Sequence, residues 1–218
     1  MPVDPSLALP LFATPVAVFE LPDMEEVNRE LTERLLIEET QVPSWKRANV
    51  GGWHSVPDLS RRPEPCYRTL MRAVVDQVAH MVGGLAAQAA EEIEAQGGAV
   101  PPPPRFRYGL TSWAMILRDG NYVIPHDHGD SHWSVAYYVD AGDETPAPSG
   151  HLVFLDPRRS GRTIPELDLF PTTFELPART GALVVFPGWL QHYVHAYRGK
   201  RPRICVSCNV TMDPVAPG

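Results

Sequence analysis

The spacing of hydrophobic positions changes character near residue 105. Before it, apolar residues recur at helical intervals: Val27, Leu31 and Leu35 make one stripe, and Leu70, Val74, Val78 and Met81 make another. The first stripe predicts a helix that opens after Asp23, with Glu26 three residues on in capping-box register, and runs to about Glu39. The second predicts a long helix from Glu64 to about Gln96, with Gly83-Gly84 as a break point and Gly97-Gly98 as its stop. A short apolar strand, Val16 to Phe19, precedes both. Between the helices, Ser44 to Arg61 reads as a loop whose Asn49-Val50-Gly51-Gly52 run breaks any period and exposes Trp53 and His54, either as plain anchors or as substrate-facing groups.

Beyond Phe106 the runs are short, alternate with period two or are rich in β-branched residues, and are separated by Asp, Gly, Pro and Ser. The predicted strands are Tyr108 to Leu117, Ser134 to Val139, His151 to Leu155, Thr173 to Leu176, Ala182 to Phe186, His192 to Tyr197 and Pro202 to Val210. Strands in succession, without helices between them, form a sandwich or barrel. The fold class is therefore α+β, mainly β, with the N-terminal helices packed outside. A barrel of about eight strands has interior room for one ligand.

Composition narrows this picture. With 218 residues, 44% hydrophobic and 21% charged, one globular domain is expected, 1–100 forming a helical front that supports a core at 105–212. A net charge of -7 disfavours nucleic acid as partner, and the basic runs Arg158 to Arg162 and Arg198 to Arg203 read as loop ends. The 24 prolines mostly punctuate loops, Pro101 to Pro104 being the one tract. Three cysteines, Cys66, Cys205 and Cys208, give no paired framework, and the N-terminal residues lack a secretory pattern, so a reducing cytoplasm is expected. Cys205 and Cys208 lie in an alternating run where i and i+3 face opposite sides, which argues against a shared metal. No apolar run is long enough for a bilayer, so no membrane partner is expected, and the choice between monomer and homodimer stays open.

The chemistry concentrates in Gly120 to Tyr138, GNYVIPHDHGDSHWSVAYY. In extended chain His126 and His128 point to one side and Asp127 to the other. A third ligand comes from a distant strand, and His192, after the apolar run Ala182 to Phe186 and the turn Pro187-Gly188, is the best placed. Such a half-open set leaves metal positions free for substrate or oxygen. A shifted set, His128, Asp130 and His192, and a pair of histidines completed by water or halide are the alternatives. His132, His151 and His195 are expected outside the ligand set.

The pattern is similar to the two motifs of the cupin superfamily, without the Glu that follows the paired histidines there, Ser131, His132 and Trp133 standing in that region, and with Trp189 in place of a Gly. A closer resemblance adds Arg203 in Arg-Ile-Cys-Val-Ser-Cys-Asn. The order His-x-His, distal His, Arg resembles the double-stranded β-helix of iron(II)/2-oxoglutarate oxygenases. The opening LFATPVAVFELPDMEEVNREL, the NVGGWHS loop, Trp113, Gly120 and the two histidine segments resemble the small bacterial and phage branch of that superfamily. Gly129, Val135 and Cys205 depart from the usual proline, glycine and serine. The resemblance implies a jelly-roll, cupin-like barrel, Fe(II) on His126, His128 and His192, and 2-oxoglutarate with its far carboxylate on Arg203. It implies a dioxygenase that consumes O2 and releases succinate and CO2 while hydroxylating or otherwise oxidising a small organic substrate. Trp53, His54, Trp133, Tyr138 and Trp189 are the candidate aromatic walls. A three-His cupin enzyme without 2-oxoglutarate and a non-catalytic metal- or sugar-binding jelly roll are the competing readings.

Overall fold

The structure, a computed structural model, describes residues 13–103, 105–158 and 171–215. Strand β1 (Ala17–Glu20) leads into helix α1 (Glu25–Gln41), and the short strands β2 (Asn49–Val50) and β3 (Trp53–His54) precede a 3-10 turn (Leu59–Arg61) and helix α2 (Pro65–Ala95). The remaining strands are β4 (Phe106–Leu117), β5 (Tyr122–His126), β6 (Trp133–Asp140), β7 (Leu152–Leu155), β8 (Thr173–Leu176), β9 (Ala182–Pro187), β10 (His192–Val194) and β11 (Arg203–Pro214). They form two sheets: β1-β9-β6-β11-β4-β3 and β2-β5-β10-β7-β8. With every pairing antiparallel, this is a double-stranded β-helix with both helices laid on the outer face of the larger sheet.

Period-two alternation divides the larger sheet between two cores. From β6, Val135, Tyr137 and Val139 pack toward the helices, while Ala136 and Tyr138 face the smaller sheet. On β11, Ile204, Val206 and Cys208 go to the helical side and Cys205 to the interior, so Arg203 enters the barrel by the same parity. The two cysteines therefore face opposite layers. Both thiols are free and buried, and burial pushes both pKa values up, which leaves them inert.

Leu31 and Leu35 of α1 and Leu70, Val74 and Val78 of α2 are fully buried against this sheet. Each such side chain contributes about 1.5–3 kcal/mol by burial. Arg62 joins the layers, bonding Glu38 of α1 at 2.6 Å, Asp58 at 2.8 Å and the Tyr67 hydroxyl at 3.1 Å.

Several sequence expectations need correction. Asp23 does not cap α1; it sits before the N-cap Met24 at φ 56, with no side-chain capping bond. Gly83-Gly84 does not interrupt α2: the turns before it are buried against the sheet, and a helix tolerates each exposed glycine at about 1 kcal/mol. The predicted stop holds: Gly97, at φ 75, donates to Glu94 O and Gly98 to Ile93 O, a Schellman closure. The segment after α1 is not a free loop. Trp53 and His54 are 4% and 5% exposed, and β3 pairs with β4 at Ile116 and Met115. The strand at His192 ends at Val194 rather than Tyr197, whereas the last strand continues past Val210 to Pro214. Most of the basic run Arg158 to Arg162 lies outside the described residues. Among the described residues no helix is long and apolar enough to cross a membrane.

Candidate metal centre

Pairing of β5 with β10 sets His126 and His192 directly opposite each other, and β5 ends there. His128 is thus not on the strand itself. It is held just beyond by its N–H to Gly188 O at 2.7 Å, while its own carbonyl accepts the Ser131 N–H and hydroxyl. This hairpin lies so close over Gly188 that a Cβ there would collide with Ser131 and with the His128 carbonyl.

The three rings converge. Centroids are 5.0 Å apart for His126 and His128, 4.3 Å for His126 and His192, and 5.2 Å for His128 and His192. One nitrogen from each lies within 4.8 Å of the others. His126 Nδ1 donates to Ile124 O and His192 Nδ1 to Leu190 O, both at 2.9 Å, which leaves Nε2 unprotonated on each ring. Burial lowers the His126 pKa, pushes His128 down to about 4 and His192 to about 3, with the neighbouring His126 adding to the last two. At neutral pH the set is three uncharged imidazoles, a donor set that suits a divalent transition metal.

Arg203 lines the same cavity as the triad. It is 2% exposed, its guanidinium carbon stands 5.0 Å from the Tyr138 ring centre, and its Nε is buried with no hydrogen-bond partner among the described residues. The Tyr138 hydroxyl is likewise buried and unpartnered, and burial raises its pKa to about 12. A buried cation without a carboxylate is costly, so these orphan donors fit an anionic ligand.

Of the other predicted positions, Asp130 is exposed and stands outside the histidine cluster. Trp53 points into the helical core and donates Nε1–H to Val42 O at 2.8 Å. Trp133 packs on that same core, and Trp189 is 49% exposed; neither lines the cavity. His132 Nδ1 accepts the Met212 N–H, while His151 and His195 approach Glu175 on the other sheet.

The sequence offered both members of the adjacent pair Trp53 and His54 as substrate-facing groups, and the structure turns only one of them to the cavity. His54, not Trp53, faces the interior, stacked at 5.7 Å and 9° on Trp113, whose ring lies 5.5 Å from His128. Burial lowers the His54 pKa. The period of two would have shown that only one of Trp53 and His54 can face the cavity, but not which.

Fold and site together define a double-stranded β-helix with a candidate metal site of three histidines. Residues 111–209 match the family described as "Putative 2OG-Fe(II) oxygenase", a span that includes His126, His128, His192 and Arg203. No curated protein sequence matches the chain. Among solved structures it is similar to a prolyl-4-hydroxylase from Pseudomonas putida (13% identity, 91% of this chain and 93% of that one, TM-score 0.57). It is also similar to the non-heme alpha-ketoglutarate-dependent epimerase SnoN of nogalamycin biosynthesis (14%, 91% and 78%, TM-score 0.58). A third is HygX from Streptomyces hygroscopicus with nickel, 2-oxoglutarate and hygromycin B bound (14%, 91% and 83%, TM-score 0.56). At these identities the structural likeness speaks for the fold. The family match covers the segment that carries the three histidines and Arg203, and that segment is similar to the 2OG-Fe(II) oxygenases.

Proposed function

We propose that His126, His128 and His192 hold the iron, that Arg203 and the Tyr138 hydroxyl receive the far carboxylate of 2-oxoglutarate, and that the enzyme hydroxylates a small organic substrate. The observation that carries this reading is Arg203: a buried guanidinium without a carboxylate partner among the described residues, in one cavity with three neutral imidazoles. Bound iron(II) would supply oxygen activation, with succinate and CO2 as coproducts. The chain's own residues do the rest. The Ile124 and Leu190 carbonyls fix two rings with Nε2 free, so no proton must leave them before metal binds at neutral pH. Arg203 matches a carboxylate with two parallel N–H donors and thereby sets the orientation of the cosubstrate. Phe154, Phe186 and Leu152 close the apolar side of the site and exclude water.

A three-His cupin enzyme that does not use 2-oxoglutarate gives Arg203 no anion to hold, which makes it the weaker reading. We read the chain as one oxygenase domain, since helices and barrel share a core, and place it in a reducing compartment on its three free cysteines. The test is anaerobic titration of the purified protein with Fe(II) and then 2-oxoglutarate. One iron per chain and a visible charge-transfer band on adding 2-oxoglutarate are expected. Iron binding with no 2-oxoglutarate binding would favour the cupin alternative.

A further inference from the structure

The histidine cavity opens into a second cavity of about 400 Å³, with His126, His128, Trp113 and Met115 common to both. Its outer wall is the segment ahead of β3 together with β3 itself, which bring Trp45 and Arg47, and His54, to the cavity. That segment is built in place: Trp45 N–H donates to His54 O at 2.9 Å, Arg47 N–H to Asn49 Oδ1 at 3.0 Å, and Ala48 O accepts the Ile124 N–H at 3.0 Å.

Two features of this cavity select chemistry. The first is its flat walls. His54 and Trp113 present a stacked pair, and Trp45, 40% exposed, stands at the opening. The second is charge. Several arginines, Arg61, Arg68 and Arg72 among them, hold no carboxylate among the described residues, and of these Arg47 and Arg203 are the two that line these adjoining cavities. Arg47 rests its guanidinium 5.3 Å over the Trp45 ring instead. Asp127, on the same rim, turns one oxygen to the Gly129 N–H and forms no ion pair with Arg47. The volume suits a small molecule rather than a folded partner.

We infer that this cavity is the substrate subsite and that it takes a compact aromatic or otherwise flat acid, its ring against Trp113 and His54 and its anionic group on Arg47. The inference rests on the oxygenase reading, which places the oxidising centre at the shared histidines. It assigns the two arginines separate carboxylates, the cosubstrate's to Arg203 and the substrate's to Arg47. Trp45 serves as the plane on which both Arg47 and the incoming ring can lie.

The experiment uses iron-loaded protein without oxygen, saturated with 2-oxoglutarate so that Arg203 is occupied. Naphthalene-2-carboxylate and naphthalene-2-carboxamide are then titrated by calorimetry into wild type, Arg47→Gln and Trp45→Ala. Wild type should bind the acid about 10- to 100-fold more tightly than the amide. Arg47→Gln should erase that preference while keeping wild-type affinity for 2-oxoglutarate, and Trp45→Ala should weaken both probes. With 2-oxoglutarate bound normally, equal affinities for acid and amide, a preference that survives Arg47→Gln, or no binding of either probe would overturn the inference alone. Failure of 2-oxoglutarate itself to bind wild type would overturn the oxygenase reading and this inference with it.

Discussion

Arg203 should weaken the ligand-free fold while making the cosubstrate complex. Its side chain is 2% exposed, no carboxylate pairs with it among the described residues, and Nε has no acceptor. An ion left in that state costs several kcal/mol. The Tyr138 ring 5.0 Å away returns about 2 kcal/mol as a desolvated cation–π contact, and the guanidinium also borders a polar cavity at Gly150 and Thr145 that relieves part of the rest. Arg203→Met, which keeps the stem and removes the charge, should therefore stabilise the metal-free protein by about 1–3 kcal/mol. The same change takes the bidentate partner from a desolvated carboxylate, a loss of about 2–5 kcal/mol, or roughly 30- to 4000-fold in 2-oxoglutarate affinity. Arg203→Lys should recover only part, because an ammonium cannot reproduce the planar fork. Iron affinity should hardly change, since β11 carries none of the three histidines. Urea denaturation of the metal-free proteins and calorimetry of 2-oxoglutarate on the anaerobic iron-loaded proteins measure the two effects. A Met variant that unfolds more readily and still binds 2-oxoglutarate like wild type would refute the reasoning on both counts.

His128→Ala should weaken iron binding severely and Asp130→Ala should not, as read by metal titration; the reverse result would select the shifted ligand set. The pH dependence of the metal-free fold follows from His54, His126, His128 and His192, all with lowered pKa values. Below about pH 6.5 the unfolded chain takes up protons that these buried rings refuse, so stability is full above that pH and declines toward the His128 and His192 values of about 4 and about 3. Urea midpoints at pH 7.5 and 5.0 test the sign, and a higher midpoint at pH 5.0 would contradict it. Gly188→Ala drives a Cβ into the His128–Ser131 hairpin, at a cost of about 1–3 kcal/mol, with iron affinity lost before the fold. A melting scan beside a metal titration separates the two, and wild-type iron binding would mean that the hairpin yields.

The sequence alone carried the order of elements and the identity of the charged and metal-seeking groups, because both are local. A helical stripe, a period of two and the spacing of His126 and His128 are properties of neighbouring residues. Even the parity that sends Arg203 and Cys205 inward and Cys208 outward was legible from alternation. What sequence could not decide was which face of each strand met which layer, since parity is relative until a partner fixes it. Trp53 and His54 were both expected to be exposed, and only the pairing of β3 with β4 buried one in the helical core and turned the other to the cavity. The missing cap at Asp23 has the same origin: the chain enters α1 from β1, whose pairing with β9 sets the turn, so the local capping signal is overridden. His192 was a candidate by position along the chain. It faces His126 because β10 pairs with β5, a contact between distant segments that only the closed barrel makes. Arg47, unremarkable in the sequence, gains its place at the rim of the second cavity in the same way, from a segment held down by β3 and β5.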